Sequence, residues 1–83
     1  MNDLSNIVPV KTELQDLSEK IKQRRKLLRI SQEDLASLSG VSVRYIYEIE
    51  KGIANPSIET LMTVLRVLGM SLKLVITGKN NDT

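Results

Sequence analysis

The strongest constraint on this 83-residue chain is the stretch SQEDLASLSGVSVRYIYEIEKG, residues 31–52, which has room for two short helices and only a tight turn between them. Ser31 is a good N-cap, and Asp34 stands three residues later, where a capping box needs an acceptor. Leu35, Ala36 and Leu38 supply the apolar side of that first short helix. Gly40 ends it, because a glycine just past a helix can take the left-handed conformation that closes the last turn. Ser42 then caps a second helix that stops at Gly52. Ile46, Ile49 and Glu50 lie on one side of it, and Val43, Arg44, Tyr47 and Lys51 on the other. One face is suited to burial and the other to display.

Little chain is left to cover the buried face. With both ends frayed, about 60 to 65 residues can contribute to a core, which is marginal for a monomer. There is no cysteine and no histidine, so neither a disulfide nor a zinc site can reinforce the fold, and oligomerisation is the expected substitute. The carboxylates are accounted for as caps, an ion pair or solvent charges. No group of residues supplies nucleophile, base and oxyanion donors together, so neither an enzyme nor a cofactor or metal site is expected. MNDLSNIVPVK lacks the apolar run of a signal peptide, and no segment approaches the ~20 apolar residues of a membrane span. These features predict a cytoplasmic protein with no membrane partner, with which the missing cysteines are compatible.

In chain order, residues 1–12 contain Pro9 and show no periodicity, and they read as a flexible arm. A helix follows, capped either by Thr12 with Gln15 or by Asp16 with Glu19. Its apolar stripe, Leu14, Leu17, Ile21 and Leu28, also passes through Arg24 and Arg25. An unpaired buried charge costs several kcal/mol or more, so a core-facing arginine needs a partner. Glu50, on the inward side of the second motif helix, is the natural one for Arg25; the alternative is that both side chains snorkel to water. Net charge is only +2, from 12 basic and 10 acidic residues, which by itself says little about nucleic acid. Six of those basic residues, Lys20, Lys22, Arg24, Arg25, Lys26 and Arg29, fall within ten positions. They predict a local positive surface, or else a solvated helix face.

After Gly52 the segment IANP reads as a loop, and Ser57 caps a last helix. Ile58, Leu61, Val64 or Leu65, and Leu68 form its stripe, Met62 is expected to join the packing, and Gly69 is the stop. The pattern then changes period. In MSLKLVI, Met70, Leu72, Leu74 and Ile76 alternate with Ser71, Lys73 and Val75, which predicts a strand. A lone strand leaves its backbone donors and acceptors unpaired, so residues 70–76 are expected to pair antiparallel with the same strand of a second subunit. Residues 77–83, TGKNNDT, read as a polar tail.

Two helices joined by a short glycine turn fit a helix-turn-helix, whose second helix lies in the DNA major groove. The SQEDLA opening, the SGVS turn, the YEIEKG end, the NPS loop and the final TLMTVLRVLG occur in an order that resembles the phage-repressor or Xre type of helix-turn-helix family over about residues 16–69. The resemblance implies an all-α fold: a compact four-helix, lambda-repressor-like domain over residues 13–69, with the C-terminal β-strand pairing across a homodimer. With MSLKLVI included, the chain looks most like the HipB-type antitoxins.

That resemblance also implies site roles. Gln32, with Ser31 beside it, matches the phosphate-contacting start of the first motif helix, often while bracing the second. Ser42, Val43, Arg44 and Glu48 match base-facing positions, Tyr47 lies beside them, and Lys51 matches a backbone contact at the far end. Arg25 and Glu50 match a recurrent buried ion pair, in agreement with the stripe. Chemically, Arg44 is the best base reader, since its guanidinium can donate two hydrogen bonds to guanine O6 and N7. Val43 offers only apolar surface, and Glu48 either accepts from cytosine N4 or orients Arg44. Tyr45 is expected to pack and Tyr47 to meet phosphate or base. The implied function is a homodimeric repressor on a palindromic operator of double-stranded DNA, acting as an antitoxin that also binds a HipA-type kinase toxin. The alternatives are a stand-alone autoregulator and a protein-interaction module that has lost DNA binding.

Overall fold

The computed structural model describes residues 12–76, which form four helices: α1 (Glu13–Leu27), α2 (Gln32–Ser39), α3 (Val43–Lys51) and α4 (Ile58–Val67). The arm expected before Thr12 and the tail expected over residues 77–83 lie outside the described residues. Each helix begins on a side-chain cap: Thr12, Ser31, Ser42 and Ser57 accept from the backbone N–H three residues on. Of the two starts open to α1, Thr12 and Gln15 form the capping box, with reciprocal bonds of 3.0 and 2.9 Å. Asp16 pairs with Lys20 one turn later, at 2.9 Å.

The helices end alike. In each, the N–H of a residue just past the end reaches back five positions, as Ile30 does to the Arg25 carbonyl at 3.3 Å and Val41 to that of Ala36 at 3.0 Å. This closure requires a left-handed residue one position earlier. After α2 it is Gly40, at φ 73°, and nothing lies within 4 Å of where a Cβ would stand, so the need for glycine there is conformational and not steric. After α1 the left-handed residue is Arg29, at φ 61°, where a Cβ carries a penalty of about 1–2 kcal/mol.

Ile21, Leu35, Ile46, Val64, Leu65 and Leu68 are fully buried and draw one core from all four helices. Several stripe residues fall outside it. Leu38 is 64% exposed, because the inward face of α2 is set by Leu35, Ala36 and Ser39 and Leu38 points about 100° away from its centre. Ile58 and Met62 are likewise exposed, since α4 turns Leu61, Val64 and Leu65 inward, which corrects the packing expected of Met62. Leu14 and Leu28 are half-exposed at the two ends of the α1 stripe.

The expected strand is not formed in the single chain. No β-strand occurs among the described residues, and from Met70, which packs on the core, the segment loses cover until Leu74 and Ile76 are fully exposed. A strand requires a ladder, and the described residues provide no second edge for one.

Arg25 and Glu50 meet inside, with side chains only 10% and 2% exposed. Arg25 Nε donates to Glu50 Oε2 at 2.6 Å, Nη2 donates to Oε1 at 3.0 Å, and Nη1 donates to the Ile30 carbonyl at 2.9 Å. Gln32 Nε2 adds a fourth bond, to Glu50 Oε1 at 3.0 Å. The snorkelling alternative is thereby excluded. Hydrogen bonding to Glu50 raises the Arg25 pKa against the opposing effect of burial, so the guanidinium holds its proton more tightly than in solution.

Arg25→Ala should lower the unfolding free energy by about 3–5 kcal/mol, because it strands the Glu50 carboxylate. Urea titration of the variant, with Arg25→Met/Glu50→Leu as the comparison that loses far less, measures this. By contrast, Arg29→Gly should raise stability by about 0.5–1 kcal/mol, the relief of left-handed strain less the greater freedom of glycine in the unfolded chain. A lower melting temperature for Arg29→Gly would contradict the strain assigned to that turn.

Candidate nucleic-acid interface

The residues expected to read DNA gather on α3 and at the start of α2. Ile46, Ile49 and Glu50 anchor α3 inward. Its opposite face carries Val43 and Tyr47, 43% and 46% exposed, together with Arg44 and Lys51. Glu48 sits between the two faces, half-buried. Ser42 lies at the helix N-terminus, where its hydroxyl oxygen accepts from the Tyr45 N–H at 3.0 Å, and Tyr45 packs against the core as expected. Ser31 occupies the matching cap of α2, accepting from the Asp34 N–H at 2.9 Å. Both cap hydroxyls keep a proton to donate outward.

The outer face of α3 is internally paired. Arg44 Nε donates to Glu48 Oε2 at 3.1 Å, and Lys51 Nζ lies 5.7 Å from the centre of the Tyr47 ring. Both pairs are four residues apart, the spacing that stacks side chains on one helix face. Gln32 links the two helices of the motif, since its amide reaches Glu50 near the end of α3 while its backbone begins α2. A single carboxylate therefore fixes α3 against both α1 and α2.

The basic cluster of α1 divides into two groups. Lys20 pairs with Asp16, Arg25 is internal, and Arg24 Nε donates to the Leu68 carbonyl at 2.8 Å, closing the last turn of α4. Lys22 and Lys26, four residues apart on one side of α1, remain exposed, as does Arg29 in the turn that follows the helix. No sequence pattern marks Arg24 as the cap of another helix, because its partner is a backbone carbonyl 44 residues away, which carries no residue signature. No helix among the described residues is long and apolar enough to cross a membrane.

The family model for the helix-turn-helix matches residues 21–75, and the chain belongs to that family. It is 49% identical over 51 residues to an uncharacterised helix-turn-helix transcriptional regulator of Haemophilus influenzae; the match takes in 61% of this chain but only about half, 52%, of that protein. A second uncharacterised regulator of the same type, from Methanocaldococcus jannaschii, is 35% identical over 66 residues, which span 80% of this chain and the whole of that one. Among solved structures, the biofilm master regulator SinR in complex with DNA superposes with a TM-score of 0.62 at 39% identity, over 66% of this chain and 89% of that one. The likeness to SinR agrees with the all-α, four-helix architecture.

Proposed function

We propose that this protein is a sequence-specific, DNA-binding transcriptional repressor that acts as a homodimer on a palindromic operator. The observation that carries this reading is the division of α3: one face is locked to α1 and α2 through Glu50, and the other presents Val43, Arg44, Tyr47 and Lys51 to solvent. A helix held this firmly with a polar, cation-bearing outer face is suited to the major groove. The family relationship and the likeness to SinR, which was solved on DNA, support it. In this reading Ser42, Val43, Arg44, Tyr47 and Glu48 face the bases, while Ser31, Gln32 and Lys51 meet phosphates.

Dimerisation is assigned to residues 70–76. Leu72, Leu74, Val75 and Ile76 are more exposed than a monomer would leave so apolar a run, and antiparallel pairing with a second copy would satisfy their backbone groups as well as cover them. Two recognition helices would then lie about 34 Å apart, one turn of DNA, or at a multiple of that spacing. The antitoxin role, with a HipA-type kinase toxin as partner, rests on the resemblance of MSLKLVI alone. A stand-alone autoregulator accounts equally well for the regulator relatives.

Gel shifts on the DNA upstream of its own gene test the main reading. Arg44→Ala should cost about 1–3 kcal/mol at one or two base positions, whereas Lys51→Ala should weaken binding to all sequences and flatten the salt dependence. Equal loss on operator and random DNA for Arg44→Ala would count against base reading. Removing residues 70–83 should lower dimer stability and operator affinity together. A truncated protein that sediments as a full dimer at low concentration would refute the role given to the strand.

A further inference from the structure

One contact on the outer face of α3 joins two of the residues assigned to base reading. Arg44 Nε donates to Glu48 Oε2 at 3.1 Å, with the Arg44 side chain 83% exposed and that of Glu48 28% exposed. A carboxylate on a surface presented to phosphates is repelled by them unless a cation accompanies it. The pair itself adds little to folding, because its Arg44 side chain is largely in water and ion pairs one turn apart on a helix surface contribute little to stability. The backbone carbonyl of Glu48 does have a structural task, accepting from the N–H groups of Ile53 and Ala54 at 3.0 and 3.2 Å, but any residue could perform it. The Glu48 carboxylate, by contrast, hydrogen-bonds to Arg44.

We propose that Glu48 reads no base of its own and is the positioning residue that makes Arg44 specific for guanine. This deepens the DNA-reading function above and rests on it. A guanidinium has five N–H donors in one plane, a single one of them on Nε. When Glu48 holds that one, the edge formed by Nη1 and Nη2, at the end of the side chain, stays open with its donors side by side. That edge matches O6 and N7 of guanine in the major groove. An unheld arginine would have to lose its rotamer freedom on binding, and it could also settle on a phosphate, which every sequence offers. Holding Nε both lowers the ordering cost and biases the side chain toward the base. Exclusion of water from the groove would strengthen the pair in the complex.

The test uses the full chain and an operator selected from random duplex DNA by the wild-type protein. If the wild-type protein selects no sequence and binds no DNA, the DNA-reading function fails and this proposal falls with it. Given an operator, every single base-pair variant is titrated with wild type, Arg44→Ala, Glu48→Ala, Glu48→Gln and the double variant Arg44→Ala/Glu48→Ala. Glu48→Ala should relax discrimination at the same base pair as Arg44→Ala, by roughly 5- to 50-fold, and should add nothing in the Arg44→Ala background. Its affinity for random DNA should hold or rise, since a negative charge has been removed, and its thermal unfolding should match wild type. Glu48→Gln, which keeps an acceptor, should retain part of the discrimination. Relaxation at a different base pair, persistence of the effect without Arg44, or no relaxation at all would overturn the assignment.

Discussion

Everything displayed by this domain depends on the buried contact between Arg25 and Glu50. The carboxylate takes two bonds from the guanidinium and one from Gln32, while the guanidinium also holds the Ile30 carbonyl at the turn between α1 and α2. Three helices are thus tied at one point. Such a pair is a poor source of net stability, because desolvating two charges offsets most of their attraction. What it provides is register: a planar, two-pronged contact fits in one arrangement, whereas apolar packing tolerates several. For a helix proposed to present particular side chains to a groove, register matters more than a further increment of burial.

The outer face of α3 extends the same logic to the surface. Its long side chains are paired within the helix, Arg44 with Glu48 and Tyr47 with Lys51, at the spacing that one helical turn allows. Side chains already limited in conformation lose less entropy when they bind. The inner face fixes the position of the helix, and the outer pairs restrict what it offers.

Much of the fold could be read from the chain because its signals are local. The serine caps, Gly40 and Gly52 act within a few residues of themselves, and α2 and α3 begin and end, and α4 begins, where those residues indicate. The Arg25–Glu50 pair was legible for a different reason: a charge on an apolar stripe has few solutions. The inward direction of each stripe was harder to fix. Leu38, Ile58 and Met62 are apolar and helical but face outward, because the number of layers a helix packs against, and not its composition, decides how wide its buried face becomes. Nor could the basic cluster be resolved into the residues used internally and those shown, since Arg24 is occupied by a backbone carbonyl of α4.

The strand pattern over residues 70–76 marks the limit of both kinds of information. Alternation predicts an extended, half-covered segment, and the cover that the described residues supply fades beyond Met70 and is gone by Leu74. By itself the sequence determined the caps and ends of α2 and α3, the start of α4 and the motif they build, and it narrowed Arg25 to a buried pair or a snorkelling one, because short-range hydrogen bonds and the cost of an isolated charge act wherever the chain goes. Only the tertiary structure decided which face of each helix is spent on the core, which of the clustered cations remain exposed, and that Glu50 serves α1 and α2 at once. Those outcomes depend on elements far apart in sequence meeting in space.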